Sequence, residues 1–339
     1  MTSPGSVHPA APPVRAGAEG DDDAPRESAV RRFLAGGSWA ELAAPVGFVA
    51  LVIVFQLLNS TFLTEGNVRA MLSAAAILVV LSVGQTFVIA TGGIDLAIAS
   101  TMTFGAVMFG VVFAGGAPLW VCILTSLASG FAFGLVQGFI IGVGRITDFI
   151  VTLGGLSVAS GLALVISDGK PVTVIDQFLL RLSTQGVGVV GWSVVVALVV
   201  ALLAHGLLFH TRFGTHVLAA GGSAEAASAT GIIVSRIKIA VYSLSGTLAG
   251  LAAILLIARV GAAEPAANTQ FLLNAVAAVV LGGVSLMGGR ATIIGPVFGA
   301  LLLTALTNGL TLLGVSQYYQ PVAVGSVVVL AALISRFQK

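Results

Sequence analysis

The chain has 339 residues, of which 57% are hydrophobic and only 8% charged, with a formal net charge of +2. A water-soluble domain carries about 25% charged residues, so this composition, with a mean hydropathy of +1.08, excludes one and points to a membrane protein. The small net charge and the lack of interleaved basic and aromatic residues argue against a nucleic-acid partner. The single cysteine, Cys122, has no internal disulfide partner and sits in an apolar run, where it reads as packing.

In chain order, residues 1–40 are different in kind. Pro4, Pro9, Pro12, Pro13 and Pro25, the acidic run Asp21-Asp22-Asp23 and the absence of apolar periodicity predict a disordered cytoplasmic tail. That tail reads as a solvated extension or a regulatory arm. No apolar run precedes a small-residue cleavage site, so no cleaved signal peptide is expected. Residues 41–339 read as one transmembrane domain. A span needs roughly 20 apolar residues. The predicted spans are at about 42–63, 71–91, 96–116, 118–142, 147–167, 189–209, 237–258, 274–288, 291–313 and 318–335. The fold class is therefore all-α and polytopic, with about ten membrane helices, one of them broken near Gly92-Gly93.

Orientation follows from the basic residues, which favour the cytoplasmic side. With the N-terminus inside, the inner segments hold Arg15, Arg26, Arg31, Arg32, Arg145, Arg212, Arg236, Lys238, Arg290, Arg336 and Lys339. The outer segments hold Arg69, Lys170, Arg181 and Arg259. Both termini and the loop 211–236 are thereby cytoplasmic, and the loop 168–188 is external.

Asp95 is the most informative charge. An ionised Asp at a helix centre costs about 2.5–3.5 kcal/mol on insertion scales, so its position needs a cause. After a break at Gly92-Gly93 it can cap the next helix with its carboxylate. It can also mark a broken helix whose end lines an aqueous path. The neighbouring polar residues Gln85, Thr86 and Thr91, and Asn308 further on, suit the path of a neutral hydroxylated solute. They equally suit hydrogen-bonded glue between helices. Gly92-Gly93-Ile94-Asp95-Leu96, followed by Gly105, parallels Gly282-Gly283-Val284-Ser285-Leu286, followed by Gly295. The pairing reads as an internal repeat or as coincidence in a chain with 43 glycines. His205, His210 and His216 lack the spacing of helical metal ligands and read as interfacial residues; no metal site is expected. No zinc-protease, nucleophile-elbow or Walker-type phosphate-binding motif is present, so the chain reads as a transport subunit and not an enzyme.

Between the sixth and seventh spans, Thr211 to Lys238 forms a polar, basic-ended interruption. Ser223 is placed to N-cap a short helix over 224–230, with Glu225 in its first turn, where a negative charge favours the dipole. Gly231 falls where a glycine would stop it. The Glu225-Ala226-Ala227 to Gly231 spacing resembles the cytoplasmic coupling loop of ABC importer permeases. The wider run, with Thr211-Arg212-Phe213-Gly214, Ala219-Ala220-Gly221-Gly222 and Gly231-Ile232, resembles the ribose-type sugar permease family. Thr91-Gly92-Gly93-Ile94-Asp95-Leu96 resembles a second signature of that family, although Ala97-Ile98-Ala99 replaces its usual Ser-Val-Gly. Ser167-Asp168-Gly169-Lys170-Pro171-Val172 resembles a third.

The resemblance implies the membrane subunit of an ATP-driven importer for a monosaccharide such as ribose, in a bacterial inner membrane. It implies a second permease subunit, identical or paralogous, a cytoplasmic ATP-binding subunit that carries ATP and Mg2+, and an extracytoplasmic solute-binding protein. Arg212, Gly214, Ser223, Glu225, Ala226, Ala227 and Gly231 would form the coupling site. Gln85, Thr86, Thr91, Gly92, Gly93, Asp95 and Asn308 would line the path. The chain itself would bind no cofactor. Other small polar solutes, such as nucleosides or branched-chain amino acids, remain open, as does an ion-coupled secondary transporter.

Overall fold

The computed structural model describes residues 39–266 and 269–336, and the side chains of 44–266 and 269–330 within them. Apart from Trp39 and Ala40, the predicted tail at 1–40 lies outside the described residues. From Trp39 onward the described residues form thirteen α-helices and four two-residue strands.

Six helices are long and apolar enough to cross a membrane. They are α2 (Glu65–Ala90), α4 (Leu119–Gly142), α5 (Asp148–Ile166), α7 (Trp192–Phe209), α10 (Val234–Val260) and α12 (Ile294–Leu312). Four further apolar helices fall on the remaining predicted spans: α1 (Trp39–Leu58), α3 (Ile98–Ala114), α11 (Thr269–Leu281) and α13 (Gln320–Arg336). The predicted span at 274–288 differs most. Its 13-residue helix rises only about 20 Å, short of the roughly 30 Å hydrocarbon core. Gly283, at φ +80°, stops it, and Val284 N–H closes back on Val279 O at 3.2 Å. The apolar run continues through Val284 and Leu286, so hydropathy does not register the stop.

The same stop ends α2, but not at the residue the sequence pairing implies. Gly92 has φ +76° and Gly93 N–H bonds Val88 O at 3.2 Å. Gly92 therefore corresponds to Gly283, one position away from the match read in the sequence. Five residues then separate Gly92 from α3, but ten separate Gly283 from α12. The two breaks share a stop and not a whole repeat.

α2 and α10 make the centre. α2 is buried without interruption from Ala75 to Ala90. α10 packs along α4, α2 and α3, while α2 also meets α7, α11 and α12. The α4–α10 contact is built on glycine. Gly130, Gly134, Gly138 and Gly142 recur every four residues along one face of α4. A Cβ on Gly130 would fall on Gly246 O, and one on Gly134 on Tyr242 O, so the backbones touch directly, as close membrane-helix packing requires. Ser126 adds a hydrogen bond from its hydroxyl to Gly250 O at 2.9 Å. The outer surfaces of α4, α5 and α7 expose Phe139, Phe149 and Leu202, side chains suited to lipid.

The predicted external loop 168–188 is not a plain loop. It holds β1 (Val172–Thr173), a short helix α6 (Gln177–Thr184) and β2 (Gly186–Val187), which forms a hairpin with β3 (Val190–Gly191) just beyond the loop. Asp176 caps α6, its carboxylate accepting from Phe178 N–H at 2.7 Å and Leu179 N–H at 3.3 Å. β1 pairs with β4 (Ala262–Ala263), Val172 opposite Ala263. The pairing joins this loop to the stretch that follows α10.

Candidate coupling and translocation site

The interruption after α7 contains two helices, where the sequence reading placed one. Thr211 caps the first, α8 (Arg212–Gly222), by accepting from Gly214 N–H at 3.3 Å. A Cβ on Gly214 would fall on the Leu208 backbone, so only glycine allows this tight elbow. Arg212 is exposed. Gly214, Val217 and Ala220 form the buried face of α8, and the Phe213 ring lies 6.3 Å from that of Phe87 on α2. The Thr211 cap and this three-residue spacing were the available signal for α8. Its last turn docks on the break in α2: a Cβ on Gly221 would fall on Ala90 O, and Gly289 N–H bonds the same carbonyl at 3.0 Å.

The chain then reverses at Ser223 into α9 (Ala224–Ala229). The Ser223 hydroxyl accepts from Ala226 N–H at 3.2 Å, as its position predicts. Glu225 stands exposed in the first turn. Ala227 is buried, while Ala224, Glu225, Ala226, Ser228 and Ala229 are exposed. One edge of the helix rests on the protein and the rest is free. The helix ends a residue before the predicted Thr230. Gly231 adopts φ +89° and Ile232 N–H bonds Ala227 O at 3.0 Å, a glycine stop of the Schellman type.

At the break beyond α2, Thr91 turns its hydroxyl onto Val88 O at 2.8 Å. Asp95 is 2% exposed. One carboxylate oxygen accepts from Ala97 N–H at 2.9 Å, closing an Asx turn just before α3. The N-cap itself is Ala97, which has no side-chain cap hydrogen bond, so Asp95 supports the helix entrance without being the cap expected of it. The other carboxylate oxygen accepts from the Ser245 hydroxyl of α10 at 2.9 Å, a partner not foreseen. Gln85, with its amide oriented to satisfy both groups, donates to Asp95 O and accepts from Asp95 N–H, each at 3.2 Å. Thr86 is buried and bonds back to Ser82 O at 2.7 Å within its own helix. Asn308 stands apart. It exchanges hydrogen bonds of 2.9 and 3.0 Å with Asn67 on the first turn of α2, roughly 34 Å along that helix from its end at Ala90.

Sequence reasoning passed over one cluster beside the break. Asp148, at the start of α5, accepts from Lys238 Nζ at 2.7 and 2.9 Å and from the Tyr242 hydroxyl at 3.1 Å. Thr152 donates to Ile94 O at 3.1 Å. Ninety residues separate Asp148 from Lys238, and no spacing rule joins them.

Asp95→Asn is expected to keep most transport and folded yield. An Asn side-chain carbonyl can accept the same Asx-turn hydrogen bond from Ala97 N–H, and its amide still reaches Ser245. Asp95→Leu strands Ala97 N–H and the Ser245 hydroxyl in the interior, at about 1–3 kcal/mol for each unpaired group. Its folded yield should fall in size-exclusion profiles. A well-folded Asn variant without uptake would assign the role to the charge instead.

The sequence profile of the family described as branched-chain amino acid transport system / permease component matches residues 67–334. The chain is 38% identical over 306 residues to the ribose import permease protein RbsC of Bacillus subtilis, covering 88% of this chain and 94% of that protein. It is 34% identical over 310 residues to the L-arabinose ABC transporter permease protein AraH of Azospirillum brasilense, covering 90% and 91%. Identity to the D-allose transport system permease protein AlsC of Escherichia coli is 31% over 294 residues, covering 85% and 90%. No solved structure matches the chain. The match runs from the first turn of α2 into α13, so the Gly92–Asp95 break and the Ser223–Gly231 helix both lie within it, and the chain belongs to this family of ABC importer permease components.

Proposed function

We propose that the chain forms the translocation path of an ATP-driven importer for a monosaccharide of the ribose, arabinose or allose kind. Near full-length similarity to permeases named for those three sugars carries this reading. α9 fits the coupling element: Ser223 and Gly231 fix both ends, and its small residues leave most of the helix free to enter a cleft on a partner. Arg212 and Gly214 shape the approach, and Ala226 and Ala227 give one exposed and one seated edge. ATP and Mg2+ belong to the cytoplasmic ATPase subunit. A second permease subunit completes the path, and an extracytoplasmic binding protein delivers the solute. All ten apolar helices then serve as spans or half-spans, with both termini cytoplasmic by the bias in basic residues. Gln85, Thr91, Gly92, Gly93 and Asp95 form the polar centre of the path at the α2–α3 break. Thr86 flanks that centre. Asn308, paired with Asn67, belongs to its outer end.

The test is uptake into proteoliposomes containing the chain with the ATPase that copurifies from its host. ATP-dependent accumulation of labelled ribose is expected, with competition by arabinose or allose and none by leucine. Competition by leucine alone would favour the amino-acid reading suggested by the family description. Uptake driven by an ion gradient without ATP would overturn the coupling reading.

A further inference from the structure

Lys238, Tyr242 and Ser245 lie on one face of α10, at positions i, i+4 and i+7, and each bonds a carboxylate from another element. Lys238 and Tyr242 hold Asp148 of α5, and Ser245 holds Asp95 of the break. The fit is tight: a Cβ on Gly93 would fall on Asp148 Oδ2 and lie 2.9 Å from the Tyr242 hydroxyl. The Lys238 and Asp148 side chains are 23% and 13% exposed. Among the described residues, the other ion pair, Arg69–Glu65, joins positions four apart on a single helix, with side chains 32% and 70% exposed.

Hydrogen-bonded neutral groups would suffice to glue these helices together. A partly buried ion pair behaves differently, because parting it leaves two charges that each need a new partner. Once separated, both ions need water. The cation is also placed where motion arrives. Only residues 230–233 separate α9 from α10, and Lys238 lies within the first two turns of α10. A displacement of α9 is therefore delivered to Lys238, while Asp148 is anchored on a different helix.

We propose that Lys238 and Asp148, steadied by Tyr242, are a positioning pair that latches the α2–α3 break closed and is released by movement of α9. The latch rests on the coupling reading given above. With the pair intact, the break and α5 are clamped to α10 and the path is sealed at this level. With the pair parted, two hydrated charges line an opening beside Asp95.

The experiment uses the full transporter, with its ATPase, in proteoliposomes. In a Cys122→Ser background, Asp148→Cys with Lys238→Cys removes the latch and allows it to be restored by a short bifunctional thiol reagent. Before reaction, preloaded labelled ribose should leak without ATP about tenfold faster than from the Cys122→Ser parent, and ATP hydrolysis should lose its dependence on loaded binding protein. Cross-linking should stop the leak and also block uptake, and reduction should reverse both. The charge exchange Asp148→Lys with Lys238→Asp should recover a sealed, coupled transporter where Lys238→Met alone does not. No leak in the reduced cysteine pair, or uptake unchanged by cross-linking, would overturn the latch. A pair that serves only as glue lowers folded yield and leaves the ratio of hydrolysis to uptake unchanged, which also overturns it. A failed coupling reading shows separately, as a parent protein that retains no ATPase.

Discussion

Leucine at Gly130 or at Gly246 is expected to abolish recovery of folded protein, whereas leucine at Gly206 should leave it at or above the wild-type level. At the first two sites the obstruction is backbone and not a movable side chain. A Cβ on Gly130 would fall on Gly246 O, and one on Gly246 on Gly130 O. Even alanine would force α4 and α10 apart. Overpacking typically costs about 1–3 kcal/mol where side chains can rearrange, and here nothing can rearrange but the helices. Separation would also part Gly134 from Tyr242 O and stretch the Ser126 hydrogen bond to Gly250. It would propagate to α2 and α3, which pack on the other sides of α10. A Cβ on Gly206 of α7 would meet nothing within 4 Å, and leucine is the better helix former by roughly 0.8 kcal/mol. The measurement is monodisperse yield in detergent, followed by a thermal melt. Equal yields from all three variants would contradict the backbone contact.

The contrast between these glycines shows what one sequence reveals. Gly231 was legible, because a helix stop is local: Ser223, Glu225 and Gly231 lie within nine residues and obey capping rules that need no tertiary partner. The apolar helices were legible for a similar reason, since hydropathy is summed along the chain. Gly130 and Gly206 are not distinguishable that way. Each sits in an apolar helix, and which one meets another backbone depends on how those helices pack. Lys238 illustrates the loss at the site itself. In sequence it is the basic end of a polar loop, and only the fold turns it inward onto Asp148. Asp95 was half legible: its turn bond to Ala97 N–H beside the helix start is local, while its bond to Ser245 spans 150 residues. α8 and α6 were missed because both are short and mixed in polarity, though Thr211 and Asp176 each carried a cap signal.

At the coupling helix, Gly231→Val and Glu225→Lys are each expected to cut ATP-dependent uptake to less than about a tenth, with normal insertion and yield. The two act through different terms. Gly231 has nothing within 4 Å of where a Cβ would stand, so valine meets no neighbour in this chain. Its cost is the φ of +89°, which a β-branched residue tolerates poorly, at about 1–3 kcal/mol. The chain can relieve that strain by opening the stop, which frees Ile232 from Ala227 O and redirects the link to Val234, where α10 begins. Gly231→Asn separates the effects, since Asn accepts the left-handed conformation, and it should retain most uptake. Glu225 is exposed and has no hydrogen bond or ion pair among the described residues. Its reversal to Lys opposes the helix dipole by only about 0.3–1 kcal/mol, too little to unfold helices held by membrane packing. A large loss of uptake must then come from a partner surface that meets the carboxylate. Glu225→Gln, which keeps the size and removes the charge, should fall between wild type and Lys. Copurification of the ATPase with each variant, measured beside uptake, separates lost docking from lost transmission. The Lys variant should lose the subunit, whereas Gly231→Val should keep it bound and fail to transport, because its defect lies between the docked helix and Lys238. If both variants bind the ATPase and transport at the wild-type rate, α9 is an interfacial helix and the coupling role belongs elsewhere.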